Sequence, residues 1–269
     1  MITLSYARYR AELATQIGLL RSGVRGADLT VPVPGCPGWN LAQLLRHVGG
    51  THHWAAEVVR TRATEPVAED LVNEVADHAD ADPGELDSWL AEGARLLTEA
   101  LGAVRPEDAV WTPGPGGDAL FWARRMTFEA VVHRADASQS LGTAFALDEE
   151  VALDGVEEWM GFTTVPEVLA SGPGEPPLLG AGRVLRFEGL ASSGDATGWL
   201  VDLTGDTVTC GRTDASAPVG AAVTVRAPLA DLLLLFYRRR TAGDRAVTVE
   251  GDAALLDLWL ERSGFWLRE

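Results

Sequence analysis

The chain has 269 residues, 46% of them hydrophobic and 23% charged, the balance of a folded globular protein rather than a disordered one. Its formal charge of −17 argues against a nucleic-acid backbone or an anionic membrane surface as partner, because both call for a basic face, and leaves a small molecule as the default. No apolar run nears the ~20 residues that span a bilayer, and Met1-Ile2-Thr3-Leu4-Ser5 lacks the basic and apolar parts of an export signal, so the expected compartment is the cytoplasm.

Cys36 and Cys210 lie far apart, which speaks against a disulfide framework. Every basic residue of the Lys/Arg type is Arg, a bias typical of GC-rich coding. The lack of a long exposed apolar seam points to a monomer.

From about Ser5 to Val24, Tyr6, Tyr9, Leu13, Ile17 and Leu20 recur at three- and four-residue steps, the pattern of an amphipathic helix. Val31 to Asn40 is too rich in Pro and Gly for a regular element and delivers Asn40 as an N-cap. Cys36, inside it, reads either as a small buried residue in a turn or as a thiol near a pocket mouth. A second helix is expected from Leu41 to Arg62. On its wheel His47 flanks the apolar arc with Thr51 and Trp54, His52 sits near the other edge, and His53 points to solvent. An acidic connection containing His78 reads as a solvated linker, and Glu85 to Val104 has the period of a third helix.

A loop from Arg105 to Gly117 leads to a fourth helix, about Asp118 to Ser140. Trp122, Met126, Glu129, His133 and Asp136 share one stripe of it, so ionisable groups are mixed into a face that otherwise wants burial. An uncompensated buried carboxylate costs several kcal/mol. Either an Arg125–Glu129 ion pair one turn apart or a metal ion held by Glu129 and His133 would answer that cost. Four amphipathic helices joined by loops form a four-helix bundle by default.

Beyond Gly142 the texture changes. A helix is expected from Asp148 to Leu169, then short strands at Arg183–Phe187, Gly198–Leu203, Thr207–Cys210 and Ala222–Val225, with a hairpin turn at Thr204-Gly205-Asp206. A helix opened by Pro228 (Leu229 to Tyr237), a strand (Ala246 to Glu250) and a last helix (Asp252 to Arg262) close the chain. The expected class is α+β: a helical bundle over residues 1–145 and a smaller domain with a mostly antiparallel sheet over 146–269.

One histidine from the second helix and Glu-x-x-x-His from the fourth would supply three metal ligands, the count that leaves a coordination position open. The segments Pro34-Gly35-Cys36-Pro37-Gly38-Trp39-Asn40-x3-Leu44-Leu45-x-His47, Glu129-Ala130-Val131-Val132-His133-Arg134-x-Asp136 and Val249-Glu250-Gly251-Asp252-x2-Leu255-Leu256-x2-Trp259-Leu260 together resemble the mycothiol-dependent maleylpyruvate isomerase family, within the DinB-like superfamily of metal-binding bundles. The resemblance implies zinc held by His47, Glu129 and His133, the thiol mycothiol as cosubstrate, and a C-terminal domain of sterol-carrier shape. Relatives often carry His where Phe128 stands and Trp where Ala135 stands.

The expected chemistry is thiol addition to an electrophilic small molecule, as cis–trans isomerisation or S-transfer. Among Arg238, Arg239 and Arg240, Arg239 aligns with an arginine common among relatives and is the candidate for a substrate carboxylate, the alternative being that all three simply favour a helix C-terminus. Asp136 reads either as an acceptor for the free ring N–H of His133 or as a surface charge; Trp39 and Trp54 read as pocket wall or core. On the residues alone, a zinc hydrolase using metal-bound water and a non-catalytic metal-binding bundle stay open beside the thiol enzyme.

Overall fold

The Ser5 side chain accepts from the Arg8 backbone N–H and starts α1 (Tyr6–Val24). The computed structural model describes residues 4–114, 116–170, 174–214 and 220–267. These fall into two compact units, one from Leu4 to Phe145 and one that begins at Ala146.

In the first unit, α2 (Leu41–Thr61) begins in a capping box: Asn40 accepts from the Gln43 N–H, and Gln43 accepts from the Asn40 N–H. It ends where Arg62 turns left-handed. Two short pieces follow, α3 (Asp70–Asn73) and a tight turn at Ala76–His78. The connection expected to be a plain solvated linker is therefore partly built. Asn40 Nδ2 donates to Ala79 O and Gln43 Nε2 to Val75 O, so the start of α2 holds this segment in place. Asp82 caps α4 (Pro83–Gly102), and Asp118 caps α5 (Ala119–Ser140).

The four long helices pack in a closed ring: α1 against α4 and α5, and α2 against the same two. The α2–α4 seam is close because it is lined by Gly49 and Gly93. The α1–α5 seam is partly polar, with Thr127 Oγ1 donating to Tyr9 O and Arg134 to Gln16. The α2–α5 seam carries the histidines.

In the second unit, Asp148 caps α6 (Glu149–Phe162). The single helix expected from Asp148 to Leu169 is two pieces. Pro166 forces Val165 into an extended conformation, so the chain leaves α6 at Thr163 and resumes as a tight turn at Pro166–Leu169. The strands are β1 (Val184–Leu190), β2 (Ala196–Asp202), β3 (Thr209–Thr213), β4 (Val223–Pro228) and β5 (Thr248–Gly251), in the order β3-β2-β1-β4-β5. Among the described residues only the β1–β4 pair is parallel, so the sheet is mostly antiparallel and the fold class is α+β, as expected.

Register explains the core. Leu185 pairs with Val201 and Val223, and Phe187 with Trp199 and Val225, which builds one apolar face from alternate residues. Helices α7 (Leu229–Phe236) and α8 (Ala253–Ser263) pack on the sheet, and Trp159, Phe187, Phe236 and Trp259 interlock in the core. On the opposite face Glu188 sits beside Arg226 and accepts from both Arg186 and Arg226, an ion-pair ladder that satisfies two buried charges.

Candidate metal centre

The α2–α5 seam brings His47, Glu129 and His133 together. Glu129 and His133 are one turn apart on α5, with His133 Nε2 2.9 Å from Glu129 Oε1. His47, two turns into α2, places its Nε2 3.4 Å from the same oxygen. The two imidazoles meet edge to face, centroids 5.1 Å apart. Both histidines are buried, while the Glu129 side chain keeps 19% of its surface, so the convergence point has access from outside.

The outer ring edges decide what the inner ones can do. His47 Nδ1 lies 3.1 Å from Val72 O, and a carbonyl only accepts, so the ring hydrogen is on Nδ1 and Nε2 presents a lone pair. His133 Nδ1 lies 3.0 Å from Asp136 Oδ2, with Asp136 fully buried, and the same logic applies. Two nitrogen lone pairs thus aim at one carboxylate oxygen. Acceptors do not converge without a proton or a cation between them.

With protons alone, a ring hydrogen has to sit on Nε2 as well, and His133 is the nearer of the two to Glu129 Oε1. Burial opposes the resulting charge, but Glu129 and the Asp136 hydrogen bond outweigh it and hold His133 well above the ordinary imidazole range. Burial likewise opposes ionisation of Glu129, yet His133, His47 and Arg125 hold it well below the usual carboxylate range. Arg125 Nη2 donates to the other carboxylate oxygen at 3.1 Å. The ion pair and the metal pair weighed from sequence are therefore not alternatives: Glu129 uses Oε2 for Arg125 and Oε1 for the histidines.

The donor set fits a divalent ion. Tetrahedral zinc, with bonds of about 2.0–2.1 Å to N and O, keeps its ligand atoms roughly 3.3–3.4 Å apart. The 3.4 Å between His47 and Glu129 is of that size, while the 2.9 Å between His133 and Glu129 is a hydrogen-bond length that would open by about half an ångström around an ion. These three groups are one of two sets among the described residues whose donor atoms all lie within 4.8 Å of one another; the other is Cys36, His133 and Asp136.

The remaining candidates fall out as follows. The half-buried Trp39 ring stands 5.0 Å from His47 and walls the site, whereas Trp54 packs against Trp111 and Trp122. His52 is fully buried, and neither of its ring nitrogens has a hydrogen-bond partner among the described residues. His53, expected to face solvent, stacks on Trp89 at 3.8 Å because α4 covers that side of α2. Arg239 lies in the second unit just past α7. Its Nη1 donates to Tyr237 O, while Arg238 donates to Leu260 O and Arg240 pairs with Asp231. Sequence reasoning missed the Val72 carbonyl, a backbone group in an unpredicted four-residue helix, for which no side-chain pattern exists.

Residues 10–138 match the family model described as "Mycothiol maleylpyruvate isomerase N-terminal domain", and residues 150–258 match the "MDMPI C-terminal domain". No curated protein matches the chain in sequence. Among solved structures, the crystal structures of the mycothiol-dependent maleylpyruvate isomerase and of a point mutant of it are similar in fold. Each has a TM-score of 0.62 at 17% identity, covering 93% of this chain and 96% of that one.

Proposed function

This chain belongs to the mycothiol maleylpyruvate isomerase family, and on that premise we propose that it is a metal-dependent enzyme that uses mycothiol to act on an electrophilic small molecule. The observation that carries the reading is the convergence of two imidazole Nε2 atoms on one oxygen of Glu129, with both Nδ1 edges already engaged. We assign His47, Glu129 and His133 as the ligands and zinc as the ion. When bound, zinc would supply Lewis acidity that strips the proton from a thiol, whose thiolate is the nucleophilic form.

The chain's own residues have defined tasks in this scheme. Val72 O and Asp136 hold the ring hydrogens on the Nδ1 atoms, so that both histidines offer Nε2. Arg125 anchors the second oxygen of Glu129 and keeps the carboxylate ionised. Trp39 shields one side of His47. Arg239 is the proposed partner of a substrate carboxylate, through guanidinium N–H groups suited to paired oxygens.

The thiol sulfur adds to one carbon of a conjugated cis double bond, and the resulting single bond rotates. Sulfur then departs with its electron pair, giving the trans isomer and the free thiol. Without that elimination the product is an S-conjugate. The test is an assay of maleylpyruvate isomerisation with and without mycothiol, before and after chelation. Turnover that needs both the thiol and the metal is expected; turnover undiminished by the loss of either contradicts the proposal.

A further inference from the structure

His133 has two edges, and only one faces Glu129. On the other, Nδ1 lies 3.0 Å from Asp136 Oδ2, and Cys36 Sγ lies 3.7 Å from that same oxygen. Cys36 is held there by its loop: its N–H donates to Val33 O, and the Trp39 N–H donates to Cys36 O. The thiol is in no disulfide and is partly exposed, so solutes reach it. Thiolate, carboxylate and imidazole are the donors that zinc and similar ions take, and with a Zn–S bond of about 2.3 Å the expected spacing of S and O ligand atoms is roughly 3.5 Å. The 3.7 Å between Cys36 Sγ and Asp136 Oδ2 is of that size, and the 3.0 Å between His133 Nδ1 and Asp136 Oδ2 is a few tenths of an ångström inside the roughly 3.3 Å of N and O ligands.

We propose that Cys36, Asp136 and the Nδ1 edge of His133 form a second cation site, for a thiophilic divalent ion. The site is independent of the thiol chemistry proposed above, but it is coupled to the first metal set through the shared imidazole. An ion entering it displaces the Cys36 thiol proton and the Nδ1 hydrogen to solvent. It also takes Asp136 from its task of orienting His133. With both sites filled, His133 bridges them as an imidazolate, so the occupancy of one site changes the affinity of the other through the shared ring.

Cobalt(II) titration of metal-free protein, with no added thiol, tests this through sulfur-to-cobalt charge-transfer absorption. The wild-type chain should take up more than one equivalent, the thiolate absorption growing after the first. Cys36→Ser should stop at one equivalent and show no such absorption. Cys210→Ser, whose thiol donates to Met160 O in the other unit, should behave as wild type. Glu129→Gln, which spares all three groups of the second site, should retain the absorption. Circular dichroism confirms that each variant is folded. Saturation at one equivalent without thiolate absorption, or absorption that survives Cys36→Ser, overturns the proposal. One equivalent bound with that absorption supports this site and counts instead against the histidine–glutamate set, so the two assignments fail separately.

Discussion

His133 is fixed at both ring edges, and Asp136 is the group that makes this possible. A fully buried carboxylate hydrogen-bonded to Nδ1 sets the tautomer and aims Nε2 at Glu129. Asp136→Asn keeps the size but removes the charge that favours a ring hydrogen on Nδ1. Metal affinity, read by competition with a chelator, should fall about 10- to 100-fold. An unchanged affinity would leave Asp136 with packing alone.

His52 supplies a contrast on the same helix. Burial pushes its pKa from 6.5 down to about 3, so the folded chain keeps it neutral while the unfolded chain protonates it near 6.5. Below pH 6.5 the unfolded state therefore binds a proton that the folded state refuses, and stability is lost progressively as the pH falls toward 3, by up to about 1.4 kcal/mol per pH unit. In His52→Leu, urea midpoints should decline less over that window, and removing two unpartnered nitrogens should make the variant at least as stable at pH 7. An acid profile identical to wild type would refute the assignment.

The helical wheel separated these residues only in part. It set His47 on the flank of the apolar arc, but it could not know that Trp89 covers His53 or that Cys36 meets Asp136 across 100 positions of sequence. Contacts between elements have no local signature.

At the level of elements, the long helices were legible because their apolar period and their caps agree, as with Asn40 before α2 and Asp118 before α5. Short pieces were not: α3 has four residues, too few for a period to show. The α2–α4 seam depends on a missing side chain. A Cβ at Gly49 would fall inside the van der Waals envelope of the Trp89 indole, and that ring cannot easily withdraw. Its Nε1 donates to Arg46 O, His53 stacks on it, and the Arg46 guanidinium lies 4.1 Å from its centroid. Gly49→Ala should therefore cost about 1–3 kcal/mol through overpacking, seen as a lower urea midpoint at unchanged slope. A midpoint equal to wild type would mean that Trp89 turns aside at no cost.

On the scale of the whole molecule, the change from helical to alternating patterning near Gly142 announced two differently built halves, and the Thr204-Gly205-Asp206 turn announced the β2–β3 hairpin. The parallel pairing of β1 with β4 was not legible, since β2 and β3 intervene and nothing in either strand names its neighbour. The helical unit holds the whole donor set, its three side chains drawn from two helices that pack directly. The second unit holds Arg239, the proposed carboxylate partner.

The central claim is that the histidine–glutamate set holds an ion to which a thiol can bind. It is tested most directly by titrating mycothiol into cobalt-loaded Cys36→Ser protein, in which no cysteine of the helical unit can supply the signal. A saturable charge-transfer band that appears with the added thiol and is absent when His47 is also changed to Ala is the predicted result. Cobalt that binds but shows no change with thiol, or a chain that takes up no metal at all, would contradict the account.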